Sequence, residues 1–224
     1  ASEVGPVVAH GAYLINLCAT DSAVLGRSRA GLADELERCR RLGVDALVIH
    51  PGSHLGEGEE PGCAAVSASL AGVLAAPDGP LLLLENTAGQ GSNLGHRLEH
   101  LAAIRAACPH PERVGFCLDT CHAFAAGYPI HEPAGYEEFW QQVDEVLGLG
   151  RVACLHLNDS VRPFASRRDR HAHFGEGEMG LEVFERLLTD PRLQAIPMVI
   201  ETEPGSDREG HRRDLETLRG LLGS

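Results

Sequence analysis

The chain has 224 residues, 43% hydrophobic and 23% charged, with a net charge of −13. That size and balance suit one soluble globular domain with a sizeable core, and no apolar run approaches the roughly 20 residues needed to span a bilayer. All 19 basic residues are arginine; Schiff-base chemistry needs a lysine or a terminal amine, so lysine-dependent aldolases, β-elimination lyases and lysine-assisted isomerases are disfavoured.

No charged segment followed by an apolar one opens the chain, and it begins with Ala1 rather than Met, so a processed chain or a fragment is expected. Seven cysteines, an odd number with no CxxC pair, read as buried reduced thiols rather than a disulfide framework. Two of them, Cys117 and Cys121, flank Asp119. The expected location is cytoplasmic. An acidic chain is an awkward nucleic-acid binder, but several acids here are candidate metal ligands. Bound divalent ions would place local positive charge on an acidic body, so net charge does not decide the partner.

Along the chain, Val7-Val8-Ala9-His10 reads as a strand that ends on His10. Gly31 to Leu42 has apolar residues at helical spacing and stops at Gly43. Ala46 to Ile49 leads to His50, followed by a helical segment from Glu59 to Leu74. Leu81 to Leu84 leads to Glu85. The glycine-rich Gly89-Gln90-Gly91-Ser92-Asn93-Leu94-Gly95 comes next; it resembles a phosphate cradle, or serves a tight strand-to-helix turn. A helical segment, Leu94 to Ala107, follows. Val114 to Leu118 leads to Asp119, with a helix from Tyr136 to Leu147. Val152 to Leu155 leads to His156, and the longest irregular stretch, Asn158 to Gly180, precedes a helix from Leu181 to Leu188. Pro197 to Ile200 leads to Glu201, with a last helix from Arg213 to Leu222.

Strand and helix thus alternate six times, which argues a parallel α/β architecture. Each strand ends on a potential ligand, and these ends recur every 34 to 45 residues. In (β/α)8 enzymes the C-terminal ends of the strands converge over the barrel axis. The expected fold is a TIM (β/α)8 barrel, with about six of eight βα units in one incomplete domain over residues 1–224. The two missing units would lie before Val7. The strands at Val7 to His10 and Pro197 to Glu201 would then be unpaired edges prone to aggregation.

The ligand candidates are His10, His50, His156, Glu85, Asp119 and Glu201 at strand ends, His122 three residues past Asp119, and Asp169 with His171 in the long irregular stretch. One zinc ion takes three or four protein ligands; nine ligands with one bridging carboxylate fit three ions. His54, His96, His100, His110, His131, His173 and His211 read as surface, helix or supporting residues. Arg167, Arg168 and Arg170 can hold phosphate or be plain surface charge.

Three blocks, Leu84-Glu85-Asn86-Thr87-Ala88-Gly89-Gln90-Gly91, Leu118-Asp119-Thr120-Cys121-His122-Ala123-Phe124-Ala125-Ala126-Gly127-Tyr128 and His156-Leu157-Asn158-Asp159, resemble the signature blocks of the endonuclease IV family. Ile49-His50-Pro51-Gly52-Ser53-His54, Asp169-Arg170-His171 and Gly175-Glu176-Gly177 match as well, so the resemblance covers nearly the whole chain. It implies a zinc-dependent apurinic/apyrimidinic endonuclease, a phosphoric diester hydrolase of the deoxyribonuclease IV type. It would cut double-stranded DNA 5′ to an abasic site in base excision repair, leaving a 3′-hydroxyl and a 5′-deoxyribose phosphate, and would act as a monomer. The implied centre holds three Zn2+ ions: one on His10, His50 and Glu85; one on Glu85, Asp119, His156 and Glu201, with Glu85 the bridging catalytic carboxylate; one on His122, Asp169 and His171. Tyr13 and Arg170 match DNA-binding positions. Two departures stand out. The family's segment upstream of His10, which carries part of the DNA-recognition surface, is absent, and Gly11-Ala12 replaces a more polar pair.

Two rivals follow from the same residues. A metal-dependent sugar isomerase or epimerase on this barrel would use Glu85, Asp119, His156 and Glu201 but has no use for the other five. An inactive zinc-binding fragment of the nuclease would keep all nine ligands without cutting DNA.

Overall fold

The computed structural model describes residues 5–75 and 78–223. Its strands are β1 (Val8–His10), β2 (Ala46–Ile49), β3 (Leu81–Glu85), β4 (Val114–Asp119), β5 (Val152–Leu157), β6 (Asp159–Ser160), β7 (His171–Ala172) and β8 (Met198–Ile200). The α-helices are α1 (Ser22–Leu42), α2 (Glu59–Val73), α3 (Leu98–Ala107), α4 (Thr120–Ala126), α5 (Pro133–Val146), α6 (Glu182–Thr189) and α7 (Gly210–Leu222). Six strands form one sheet in the order β1-β2-β3-β4-β5-β8, every pair parallel. The short β6 and β7 make a separate antiparallel pair.

Period-two alternation assigns the faces of the sheet. Leu47, Ile49, Leu82, Leu84, Phe116, Leu118, Leu155 and Leu157 face outward and join the main core with the helices. The inner face holds Ala46, Val48, Leu83, Cys117 and Cys154, flanked by Val8 and Leu81. Two positions further along each strand, on that same inner face, stand His10, His50, Glu85, Asp119 and His156. The apolar inner face is therefore the floor beneath the polar rim.

Neighbouring strands lie about 4.8 Å apart, so a flat sheet would hold β1 and β5 roughly 19 Å apart. The rings of His10 and His156, on those two strands, are 5.9 Å apart. The sheet must therefore curl inward, as part of a barrel does. Its two edges are β1 and β8, which do not pair with each other among the described residues. Val7 and Val199, at these edges, are 49% and 38% exposed. The β4–β5 register shifts between Phe116 and Cys117: Phe116 lies opposite Val152 but Cys117 lies opposite Cys154. The skipped Ala153 is a bulge, and it brings His156 opposite Asp119.

Helix boundaries differ from expectation for local reasons. The first helix begins at Ser22, nine residues before Gly31, because Asp21 caps it by accepting from Ala23 and Val24 N–H at 2.8 and 2.9 Å. Its apolar stripe is sparse at this end, so periodicity missed it. The helix after β3 starts at Leu98 rather than Leu94, since Gly95 has φ +97° and Leu94 N–H is tied to Gly52 O. Pro133 opens α5 at its first turn, where its missing N–H costs nothing. The seven-residue α4 was too short for a periodic signal; Asp119 caps it, accepting from His122 N–H at 2.7 Å. All seven cysteines are free and buried, as their number and spacing implied.

Leu83 is fully buried in the floor two residues before Glu85. Leu83→Ala should cost about 2–5 kcal/mol, read as a lowered melting temperature. An unchanged melting temperature would mean that the inner face is not packed core.

Candidate metal centre

Strand β3 delivers Glu85, a carboxylate with no exposed surface. Its Oε2 lies 2.9 Å from His10 Nε2 and 3.0 Å from His50 Nε2. Its Oε1 lies 3.0 Å from His156 Nδ1 and 3.4 Å from His122 Nδ1. The two oxygens thus divide the histidines into two sets. His156 Nδ1 is also 3.1 Å from Glu201 Oε2. A third set is linked by Asp169, whose Oδ2 is 3.1 Å from His122 Nε2 and whose Oδ1 is 3.2 Å from His171 Nε2.

The long stretch after Asn158 is less irregular than its sequence implied. Strands β6 and β7 fold it into a hairpin, Asp159 opposite Ala172 and Ser160 opposite His171, which returns His171 to the rim. Asp159 anchors the hairpin base. Buried completely, it accepts backbone N–H bonds from Ser160, Gly175, Gly177 and Met179 at 2.7–3.2 Å. A Cβ at Gly177 would strike Asp159 Oδ1, so that position requires glycine.

Backbone carbonyls orient the rings. His10 Nδ1–H donates to Gly11 O at 2.8 Å, His122 Nδ1–H to Asn86 O at 2.9 Å and His171 Nδ1–H to Glu201 O at 3.2 Å. In each, the Nε2 lone pair is left facing a carboxylate, the pattern that prepares imidazole for a metal. Asp119 is already engaged on both oxygens. Its Oδ1 caps α4, and its Oδ2 accepts from Asn158 Nδ2 at 2.5 Å, 3.8 Å from His171 Nε2.

Two asparagines escaped the sequence reading. Asn158 donates to Asp119 Oδ2, reaches Glu201 Oε2 at 3.5 Å, and accepts from Glu201 N–H at 2.8 Å. Asn86 pairs with the Asp119 backbone in both directions, at 2.6 and 3.0 Å. The available signal was an amide within two residues of a strand-end ligand.

These donors fit divalent cations. A neutral imidazole lone pair 2.9–3.2 Å from a carboxylate oxygen is repulsive unless a proton or metal ion lies between. Two donors on one tetrahedral zinc lie about 3.4 Å apart, close to these separations. His171 Nε2 is buried and hydrogen-bonds to nothing among the described residues, although Asp169 Oδ1 is near. Without metal, protons fill the role. Burial pushes the Glu85 carboxyl up, but the charge on His156 and hydrogen bonds from His10, His122 and His156 hold it well below the usual range. Burial lowers His171, while Asp169 and then Asp119 raise it to about 9. His122 is likewise raised, against burial, by Asp119, Asp169 and Glu85.

All nine expected ligands therefore meet at one rim. Tyr13 stands outside it, 87% exposed beside the exposed Leu14. The Gly11 departure has a packing reason: a Cβ there would lie 3.0 Å from both Glu35 Oε2 and Ile49 Cγ2. Arg170, also exposed, donates to its neighbour Asp169 O at 2.6 Å. It lines a cleft of about 390 Å³ with Gln90, Gly91, Arg162, Ser166, Arg167 and Arg168. The glycine-rich segment and the arginine run, some 75 residues apart, thus face each other. Several of the remaining histidines serve loops. His54 accepts from Gly56 and Gly58 N–H, His100 bridges Gly95 N–H and Glu59, and His173 binds Asp214.

Comparison with known proteins gives the centre a context. A family model described as "Xylose isomerase-like TIM barrel" matches residues 3–221. A protein of Chloroflexus aurantiacus called "Probable endonuclease 4" is 49% identical over 221 residues, covering 98% of this chain and 78% of that one. The crystal structure of endonuclease IV from Thermus thermophilus superposes with a TM-score of 0.83 at 38% identity, over 97% of this chain and 76% of that one. A D-tagatose 3-epimerase-like protein gives 0.76 at 20% identity, over 99% of this chain and 78% of that one, a likeness of fold alone.

No helix among the described residues is long and apolar enough to cross a membrane. His171 is raised from 6.5 to about 9 in the folded chain. A group with a raised folded pKa stabilises the fold fully below its unfolded value and loses that contribution as pH climbs through the folded one. Chelator-stripped protein should therefore lose melting temperature between pH 6.5 and 9, and His171→Ala should flatten that slope. A stripped protein with a level profile across this window would contradict the assignment.

Proposed function

The chain belongs to the endonuclease IV family, and we propose that it hydrolyses the phosphodiester 5′ to abasic sites in double-stranded DNA. The products are a 3′-hydroxyl and a 5′-deoxyribose phosphate, an early step of base excision repair. The observation that carries this reading is the division of Glu85: one oxygen faces His10 and His50, the other His156, which also faces Glu201. A carboxylate shared in this way is suited to bridge two cations.

In this reading His10, His50 and Glu85 hold one zinc ion, and Glu85, Asp119, His156 and Glu201 a second. A third is held by His122, Asp169 and His171. When bound, the ions supply an acidified water as nucleophile and neutralise charge on the scissile phosphate. The chain's own groups do the rest. Asn158 fixes the relative orientation of Asp119 and Glu201. Asn86 holds His122 through its carbonyl. Arg162, Arg167 and Arg168 have no carboxylate partner among the described residues, and with Arg170 they offer four guanidinium groups to the DNA backbone beside the centre. Guanidinium forks match phosphate oxygens, and they give an acidic chain a local positive face. Ala165 and Arg167 hold left-handed backbone at φ +56° and +53°, a strain common at binding loops. In this reading the exposed Tyr13 stacks where an abasic site leaves a gap.

A sugar isomerase of the same fold would leave His122, Asp169, His171 and the arginine cleft without a task. Metal analysis separates the two: His122→Ala should leave about one zinc fewer per chain and lower kcat/KM by about 100-fold or more, since even supporting residues cost 10–100-fold. Loss of every ion, or of none, would break the partition into three sets.

The direct test is cleavage of a duplex with one abasic site, intact or reduced by borohydride. Both should be cut to a 3′-hydroxyl, because hydrolysis 5′ to the lesion needs no aldehyde and no lysine is present. A borohydride-trapped covalent adduct would replace hydrolysis with a lyase mechanism. Metal binding without cleavage of either duplex would mark the chain as a metal-binding remnant.

A further inference from the structure

Beneath the oxygen and nitrogen donors lie two thiols that the proposed activity does not use, next to a histidine that it does. Cys117 and Cys154 both point into the curl of the sheet, in the inner-face cluster with Val48 and Leu83. They are in register on adjacent strands because of the bulge at Ala153. With ordinary pairing after Phe116–Val152, Ala153 would stand opposite Cys117 and Cys154 would turn to the outer face. The two thiols and a ring nitrogen of His156 lie within 4.8 Å of one another. Both sulfurs have no exposed surface. Cys39, Cys63 and Cys108, by contrast, belong to the outer hydrophobic core.

We infer that Cys117, Cys154 and His156 form a binding site for a thiophilic divalent cation. Two sulfurs and one imidazole are a donor set that soft and borderline d10 cations prefer over the carboxylate-rich sets above it. Binding would release the two thiol protons to solvent and leave a charge-compensated metal dithiolate in the apolar floor. The site meets the main centre at His156, whose Nδ1 lies 3.0 Å from Glu85 Oε1 and 3.1 Å from Glu201 Oε2. The inference stands apart from the nuclease reading, and failure to cut DNA would leave it untouched.

The test is titration of the chelator-stripped, thiol-reduced chain with Cd2+ alone, following the ultraviolet sulfur-to-metal charge-transfer absorption. The band should saturate at one equivalent. Binding read by the band should weaken more than about tenfold in Cys117→Ser and in Cys154→Ser, and be kept in Cys63→Ser and Cys121→Ser. Cys121 is the informative control, since it lies near Asp119 and His171. Absence of the band in the unaltered chain, or its survival in Cys154→Ser, would overturn the assignment. X-ray absorption at the cadmium edge needs no variant: two sulfur scatterers per bound ion support the site, and oxygen and nitrogen scatterers alone refute it.

Discussion

The buried carboxylate of Glu85 is the constraint on which the structure turns. An ionised carboxylate with no exposed surface is costly unless it is paired and hydrogen-bonded. Its partners come from β1, from the residue that follows β2, and from β5 and α4, and no flat sheet brings those elements to one point. The curl of the sheet, the bulge that sets His156 opposite Asp119 and the cap that starts α4 at Asp119 are each required for this one group to be matched. Strand order puts Glu85 at the middle of the arc, where both flanks can reach it.

The strands were readable because burial on both faces produces unbroken apolar runs, and because each run stops where a polar residue must face the rim. Val114 to Leu118 followed by Asp119 says both things at once. The helices were less readable at their starts. Asp21 and Pro133 are local signals that can be read only once a helix is known to follow, and the early turns of α1 are too polar for periodicity to register. Capping decided the boundary at α4 as well, where Asp119 serves the helix and the rim together.

Long-range placement was the least legible part. Nothing in the order of residues says that Gly91 lines one cleft with Arg168, or that Asn158 reaches both Asp119 and Glu201. The family blocks contain Gly91, Asp119 and Asn158, but Arg168 and Glu201 lie outside them and are brought in by the fold. The stretch from residue 158 to 180 looked irregular because its two strands have two residues each, below any periodic signal. Its order comes from Asp159 gathering four backbone N–H groups, a hub with no sequence pattern beyond the glycines that leave room for it.

The same geometry links the metal question to the fold. His10, His122 and His171 each give their Nδ1 proton to a backbone carbonyl, so each presents an Nε2 lone pair to a carboxylate. That arrangement is stable only with a cation in the gap. Protons can supply it, at the expense of raised imidazole pKa values, while divalent ions supply more charge from fewer particles. Because the carbonyls that fix the rings belong to Gly11, Asn86 and Glu201, on three different strand-end loops, filling the gaps also ties those loops together. Metal affinity and the order of the rim are therefore one free energy, and the arginine cleft, joined to the rim through Asp169 and Arg170, inherits its position from it.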